Sequence, residues 1–135
     1  MREDITILVV DDEEMMRNLL SKILNREGCN AMIATSGEEA LEVLKKERID
    51  LVITDVKMPV MDGFELLKNI KKDYPQIGTV VMTAFGDAYT VRDALLLGAD
   101  EYITKPFKSF EIMMVVERAY WRIASSRTRE ESSAG

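Results

Sequence analysis

The chain has 135 residues, of which 47% are hydrophobic and 31% are charged, values typical of one soluble globular domain that leave no room for a second. Its net charge of -6 excludes direct binding of nucleic acid, because such binding needs Lys and Arg to displace the counterions of the phosphate backbone. The absence of histidine and the single cysteine, Cys29, exclude a Ser-His-Asp triad, His-ligated zinc, a multi-thiolate metal site and an intramolecular disulfide.

The amino-terminal segment, MREDITIL, has acids beside Arg2 and lacks the apolar core of a secretory signal. No apolar run in the sequence approaches the ~20 residues that a membrane span requires. We therefore expect a cytoplasmic protein that does not contact a membrane.

Five apolar runs of strand length recur along the chain, at residues 5–10, 30–34, 50–54, 79–83 and 101–104. Segments with helical period lie between them. The first helix is predicted to end at Gly28, a residue suited to a helix C-cap. Its apolar face consists of Met16, Leu19, Leu20, Ile23 and Leu24.

The second helix is predicted to begin with the capping box Ser36–Glu39 and to bury Ala40, Val43 and Leu44. The third helix is expected to begin near Gly63 and to end before Pro75, which cannot continue it. The remaining inward positions are Phe64, Leu67 and Ile70 on the third helix, Val91, Ala94 and Leu95 on a short fourth that stops at Gly98, and Ile112, Val115, Val116, Ala119, Tyr120 and Ile123 on the fifth.

This alternation predicts a single doubly wound α/β domain, in which five parallel strands are joined by right-handed crossovers and covered by helices on both faces. The segment after Ile123 is rich in Ser and charge and has no apolar period. We interpret residues 125–135 as a disordered tail or a truncated linker.

Acidic residues follow the first and third predicted strands. Asp11 and Asp12 end the first strand, and Asp55 ends the third. If these strands are neighbours, the three carboxylates converge at the carboxyl edge of the sheet, where open α/β sheets bind ligands. Their mutual repulsion calls for a cation, and carboxylate oxygens favour Mg²⁺.

Two further side chains fall at the same edge: Thr83 after the fourth strand and Lys105 after the fifth. A hydroxyl donor and an ammonium suit phosphoryl oxygens, so these residues predict a phosphoryl-transfer site with Asp55 as nucleophile. Taken singly, each residue has an ordinary alternative. Asp11 and Asp12 could cap the first helix, Lys105 could be a solvated surface lysine, and Thr83 could reflect strand propensity.

Together these residues resemble the receiver domain of two-component response regulators, including the chemotaxis type. The resemblance covers residues 4–124 and rests on the paired acid after the first strand, DVKMPVMDG at the third, MTA at the fourth and KPF after the fifth. It implies a flavodoxin-like fold with strand order 2-1-3-4-5. It also implies a cis peptide bond between Lys105 and Pro106.

By resemblance, Asp55 is the phosphoacceptor, and it ligates Mg²⁺ together with Asp12 and the backbone carbonyl of Lys57. Asp11 would act on the ion through a water molecule. Lys105 and Thr83 would contact the phosphoryl group, and Thr83 would act with Tyr102 as the switch: Tyr102 turns inward and changes the surface of the fourth helix, fifth strand and fifth helix.

The family's partners are implied in the same way. A separate sensor histidine kinase would donate the phosphoryl group, since this chain has no histidine of its own. The switched surface would control an output domain or partner protein, and homodimerisation on phosphorylation is a further option. Such a protein is not an enzyme acting on a foreign substrate, because it catalyses only its own phosphorylation and dephosphorylation.

Two other classes are considered. A Mg²⁺-dependent phosphohydrolase with an aspartyl nucleophile usually has a second acid two residues later, where this chain has Lys57. A flavodoxin-like cofactor binder needs a Ser-, Thr- or Gly-rich loop after the first strand, where this chain has acids. Both classes are disfavoured.

Met114 and Trp121 lie off the main apolar stripe of the fifth helix. They could form the edge of the core, or they could be a contact surface for a partner or a second copy.

Overall fold

The computed structural model describes the backbone of residues 5–84 and 88–134, with side chains at 5–84 and 90–125. The strands are β1 (Thr6–Val10), β2 (Asn30–Ala34), β3 (Leu51–Asp55), β4 (Gly78–Ala84) and β5 (Glu101–Lys105). The helices are α1 (Glu14–Arg26), α2 (Gly37–Lys46), α3 (Gly63–Asp73), α4 (Ala88–Leu96) and α5 (Ser109–Ala134). The predicted domain boundary at residue 4, and residue 135 of the predicted tail, lie outside the described residues.

All five strands run parallel in one sheet of order β2-β1-β3-β4-β5, which confirms the predicted flavodoxin-like arrangement. The strand order reverses between β1 and β3. These two strands are paired in a register that places Val10 beside Thr54. The residues that follow, Asp11 and Asp55, therefore leave the same edge of the sheet next to each other, at the point where doubly wound folds bind ligands.

Helices cover both faces of the sheet. Adjacent residues of a strand point to opposite faces, so each buried strand contributes side chains to both layers. Val9 packs in the layer under α1 and α5, whereas Leu8 packs in the layer under α2 and α3. Val81 of β4 lies under α3 and α4. Burial on both faces explains why the inner strands read as continuous apolar runs rather than as an alternating pattern.

The helix ends follow the local signals in the sequence. The Ser36 hydroxyl accepts a hydrogen bond from the Glu39 N–H at 3.1 Å, so Ser36 caps α2 as predicted. Gly28 and Gly98 both have φ of 91°, a left-handed conformation that suits glycine just beyond the ends of α1 and α4. The third helix begins at Gly63 and ends before Pro75, also as predicted.

Two residues assigned to buried helix faces are exposed. Leu19 of α1 is 46% exposed and Leu95 of α4 is 50% exposed. Periodicity identifies an apolar face, but the sheet covers only part of that face. In α1 the contact is made by Leu20, Ile23 and Leu24, which are all buried.

The fifth helix does not stop at Ile123. It continues to Ala134, so residues 125–134 are helical along the backbone where the sequence predicted a disordered tail or a truncated linker. The segment lacks an apolar period but also lacks Gly and Pro before residue 135, so nothing in it breaks a helix already begun. A domain that ends at residue 124, with a linker beyond it, stays a prediction.

Candidate functional site

Three carboxylates meet at the carboxyl edge of β1 and β3. One oxygen from each of Asp11, Asp12 and Asp55 lies within 4.8 Å of the other two, as predicted. Asp11 is fully buried, Asp55 is 8% exposed, and Asp12 is exposed. The cluster therefore has a buried end at Asp11 and opens to solvent at Asp12.

Asp11 is held in place by its neighbours. Its backbone N–H donates to the Ala34 carbonyl at 3.2 Å, and its Oδ1 accepts from the Glu13 N–H at 2.9 Å. Its Oδ2 is buried and has no hydrogen-bond partner among the described residues. One oxygen of this carboxylate is thus used by the protein, and the other faces the cluster.

The environment raises the pKa of Asp11 above its ordinary value of 3.8. The largest cause is burial, which disfavours the charged form. The carboxylates of Asp55 and Asp12 raise the pKa further, while the Glu13 N–H and the Lys105 ammonium lower it.

The alternative that Asp11 and Asp12 are N-cap residues of the first helix is wrong. The N-cap of α1 is Glu13, and its side chain makes no capping hydrogen bond. Asp11 does bind the N–H of Glu13, so it helps to anchor the helix without being its cap residue.

Lys105 joins the acid cluster from the end of β5. Its Nζ lies 3.0 Å from Asp55 Oδ2 and 3.8 Å from Asp11 Oδ2, and its side chain is 25% exposed. This contact with two carboxylates excludes the alternative of a solvated surface lysine. The following peptide bond, to Pro106, is cis as predicted.

Thr83 is 1% exposed, and its Oγ1 has no hydrogen-bond partner among the described residues. A buried hydroxyl without a partner is costly and usually marks a place where a ligand or water binds. Tyr102, in contrast, is 40% exposed. It lies beside Val81 in the sheet, so strand alternation puts it on the same face as Thr83.

A cavity of about 230 Å³ is bordered by Asp12, Asp55, Lys105 and Thr83. Its lining residues are Asp12, Glu13, Asp55, Val56, Lys57, Met82, Thr83, Ala84, Thr90 and Lys105. Thr90 was missed from the sequence. Thr90 lies in the first turn of the helix that follows MTA. Because that helix begins at the same edge of the sheet as the acid cluster, a hydroxyl in its first turn could have been predicted to face the cavity.

The connection from β3 to α3 packs tightly against Asp55. The Gly63 N–H donates to the Val56 carbonyl at 2.8 Å, and a Cβ at Gly63 would overlap the carbonyl oxygen of Asp55. In the same connection Val60 has φ of 69°, which is strained for a β-branched residue, and strain of this kind gathers at functional sites.

The residues at this edge fit a divalent cation. Three carboxylates supply only oxygen atoms, and no donor in the described part of the chain forms a hydrogen bond with the buried Oδ2 of Asp11. Hard cations such as Mg²⁺ prefer ligands of this kind. Lys105 supplies one positive charge against three negative ones, so the cluster keeps a net attraction for a cation.

A larger cavity lies elsewhere, on α5. It measures about 820 Å³ and includes Asp100, which precedes β5 and therefore lies at the amino edge of the sheet. Met114 and Trp121 line it and are 50% and 53% exposed. These exposures do not fit the core-edge alternative, and the contact-surface alternative stays a prediction.

Within the described residues, no helix has both the length and the apolar character needed to cross a membrane.

Comparison with known proteins gives consistent matches. Residues 7–117 match the family model of the response regulator receiver domain. Sporulation initiation phosphotransferase F of Bacillus subtilis (strain 168) is 40% identical over 112 residues, which cover 83% of this chain and 90% of that protein. A putative response regulator NtrX-like of Rickettsia bellii (strain RML369-C) is 36% identical over 117 residues, 85% of this chain and 24% of that protein.

The fold comparison agrees with the sequence comparison. The crystal structure of NtrX from Brucella abortus superposes with a TM-score of 0.91 at 33% identity, over 95% of this chain and 30% of that one. The present chain therefore spans nearly the whole length of the Bacillus relative but only about a quarter to a third of the two NtrX proteins.

Proposed function

The chain belongs to the response regulator receiver domain family, whose members are typically non-enzymatic modules of phosphorelay signalling, and we propose that it accepts a phosphoryl group on Asp55 in a Mg²⁺-dependent reaction. The observation that carries the proposal is the placement of Lys105 Nζ at 3.0 Å from Asp55 Oδ2, beside a buried Thr83 hydroxyl that has no partner among the described residues. Together these groups supply a nucleophile, a cation and a hydrogen-bond donor in one cavity.

Asp55 is the nucleophile in this proposal. Lys105 holds its Oδ2, so Oδ1 is the oxygen that is not engaged by the ammonium. A carboxylate oxygen attacks phosphorus, the oxygen–phosphorus bond forms as the donor's nitrogen–phosphorus bond breaks, and the electron pair leaves with the histidine nitrogen. The product is an acyl phosphate on Asp55.

Lys105 and Thr83 stabilise the transferred group. The ammonium offsets negative charge on the phosphoryl oxygens, and the Thr83 hydroxyl donates a hydrogen bond to one of them. Lys105 already contacts Asp55 before the reaction, so its charge needs little reorganisation when charge develops on the phosphoryl group. In this role each of them is a catalytic residue together with Asp55.

Mg²⁺ is the proposed ion. Asp12, Asp55 and the backbone carbonyl of Lys57 would ligate it directly, and Asp11 would act through a bound water. When bound, the ion supplies additional positive charge for the phosphoryl oxygens. Asp12 is the exposed member of the cluster, which leaves a route for the ion to enter.

The phosphodonor is proposed to be the phosphohistidine of a sensor histidine kinase, or a small acyl phosphate that replaces it. The family implies histidine kinases and phosphotransfer proteins as partners, and no histidine is available within this chain. The phosphohydrolase and flavin-binding alternatives gain no support, because Lys57 and the acids after β1 stand where those classes need other residues.

The signal is proposed to leave through α4, β5 and α5. Phosphorylation would draw Thr83 toward the new group, and Tyr102, which shares its sheet face and is 40% exposed, would move inward behind it. The changed surface would then control an output domain, a partner protein or pairing with a second copy of the chain.

A mass measurement tests the acceptor. Incubation with Mg²⁺ and acetyl phosphate should add one phosphoryl mass to the wild-type chain. The Asp55→Asn variant should gain none, whereas the Asp73→Asn variant, altered at an exposed residue of α3, should be labelled like wild type. Full labelling of Asp55→Asn would move the acceptor to another residue and overturn the proposal.

A further inference from the structure

We infer that Arg17 is a positioning residue, which fixes the backbone of Asp11 so that the free oxygen of that carboxylate faces the cation site. The inference rests on the proposed function, since it concerns the same site. Arg17 does not line the cavity bordered by Asp55, Thr83 and Lys105. It therefore acts from behind Asp11 and not on the phosphoryl group itself.

The contact is a direct one. Arg17 Nη1 donates to the backbone carbonyl of Asp11 at 2.9 Å, while the backbone N–H of Asp11 donates to the Ala34 carbonyl at 3.2 Å. Both polar groups of this peptide backbone are thus engaged, one by α1 and the other by β2. With Oδ1 bound to the Glu13 N–H at 2.9 Å, Oδ2 is the oxygen of Asp11 that remains to hold the water through which it would act on the cation.

Asp11 needs such a restraint because the neighbouring carboxylates repel its side chain away from the proposed cation site. It is fully buried and lies within 4.8 Å of two other carboxylates. Repulsion among like charges favours movement of the Asp11 backbone away from the cluster. A guanidinium bound to its carbonyl opposes that movement.

The cost of placing an arginine here supports a specific role. Arg17 Nε is buried and has no hydrogen-bond partner among the described residues. A partly buried guanidinium with an unsatisfied donor is unfavourable compared with an apolar side chain of similar length. An apolar residue at position 17 would avoid this cost but could not form the hydrogen bond to the Asp11 carbonyl.

The start of α1 depends on the same contact. Glu13, the N-cap of α1, makes no side-chain cap hydrogen bond. Two hydrogen bonds connect this end of the helix to the end of β1: the Glu13 N–H donates to Asp11 Oδ1, and Arg17 donates to the Asp11 carbonyl. This arrangement lets the helix hold the acid cluster in place.

The test compares Arg17→Met, which keeps the side-chain stem and removes the guanidinium, with Arg17→Lys, which keeps the charge. Arg26→Met is the matched control, because Arg26 is an exposed arginine in the last turn of the same helix. Mg²⁺ affinity is measured by titration calorimetry at neutral pH. Melting temperature in chelator and labelling of Asp55 by acetyl phosphate are measured on the same samples.

We expect Arg17→Met to weaken Mg²⁺ binding roughly tenfold, the scale on which groups that orient metal-binding side chains act. Arg17→Lys should recover part of this loss, and Arg26→Met should bind like wild type. A melting temperature lowered in Arg17→Met with Mg²⁺ affinity within about twofold of wild type would show a purely structural role and overturn the inference. If Arg17→Met does not fold, wild-type affinity in Arg17→Lys together with wild-type affinity in folded Arg17→Gln would overturn it.

The two proposals can fail separately. A wild-type chain that neither binds Mg²⁺ nor is labelled on Asp55 contradicts the proposed function, and the inference about Arg17 falls with it. A wild-type chain that does both, beside an Arg17→Met variant that does both equally well, contradicts only the inference.

Discussion

At the scale of single residues, Asp11 bears most of the electrostatic cost of the acid cluster. It is the fully buried member, and burial is the largest cause of its raised pKa. Asp12 is exposed, so water screens its charge. Burial thus fixes the Asp11 carboxylate in place and at the same time disfavours its charged form.

This difference predicts a pH effect on stability in the absence of divalent ions. Because the folded-state pKa of Asp11 is raised above 3.8, the neutral acid stabilises the fold at low pH, and this contribution is lost as the pH rises through the folded-state pKa. The Asp11→Asn variant should keep this contribution at every pH, because an amide side chain stays neutral. In chelator, that variant should gain stability over wild type as the pH rises above ~4, by about 1 kcal/mol, the scale of one close like-charge contact.

Thermal melts at several pH values measure this effect. Asp12→Asn, which removes an exposed charge, should gain less than Asp11→Asn. Addition of ~10 mM Mg²⁺ should make wild type more stable than either variant. An ion that binds only the folded wild type adds stability of RT ln(1 + [L]/Kd). A difference between Asp11→Asn and wild type that does not change with pH would contradict the raised pKa.

At the scale of helices and strands, the starts of α2 and α3 offer a direct comparison. Both helices begin with glycine, at Gly37 and Gly63. A Cβ at Gly37 would meet the side chain of Met61, at 2.7 Å from its sulfur. A Cβ at Gly63 would instead meet the backbone of Asp55 and Val56. A flexible methionine can move, but the end of a central strand cannot.

Gly63→Ala should therefore lose stability by about 1–3 kcal/mol, the usual cost of overpacking. It should also slow labelling of Asp55 by acetyl phosphate, since the added carbon displaces the carbonyl of that residue. Gly37→Ala should change stability by less than about 1 kcal/mol, because helix propensity offsets the contact with Met61. Equal effects of the two substitutions on labelling would contradict a close link between α3 and Asp55.

The strands and the helix starts could be predicted because they depend on local rules, whereas the pairing of β1 with β3, which completes the acid cluster, was implied by the resemblance to the receiver family. Asp11 and Asp55 meet because parallel strands place their carboxyl ends at one edge. The strained φ of Val60 and the reach of Arg17 to the Asp11 carbonyl could not be predicted, since they depend on the path of a loop and on a side-chain conformation. Exposure of Leu19 and Leu95 depends on how much of each helix the sheet covers.

At the scale of the whole molecule, the acid cluster and the cavity on α5 lie at opposite edges of the sheet. The acid cluster lies beyond the carboxyl ends of β1 and β3, whereas the cavity that contains Trp121 includes Asp100 at the amino edge. Trp121 belongs to α5, and its ring packs edge-on against Tyr120 at 5.6 Å. An ion bound at the cluster has no direct contact with this aromatic pair.

Addition of Mg²⁺ to the unphosphorylated chain should therefore leave Trp121 fluorescence nearly unchanged. A Trp121→Phe, Glu13→Trp double variant is the positive control, because Glu13 lines the cavity of the acid cluster and a tryptophan there should respond to the ion. Strong quenching of Trp121 by Mg²⁺, at constant ionic strength, would show that the two edges are coupled even without phosphorylation.

The length of α5 has a mechanical consequence. Ile123 is the last buried residue among those whose side chains the structure describes, at 8% exposed, and the backbone continues as helix to Ala134. At 1.5 Å per residue, the ten helical residues from 125 to 134 extend about 15 Å along the axis, so a tilt of about 10° in the turn that contains Ile123 displaces the backbone of Ala134 by roughly 3 Å. A rearrangement too small to unpack the helix from β4 and β5 is thus amplified along its axis into a displacement the size of a hydrogen bond.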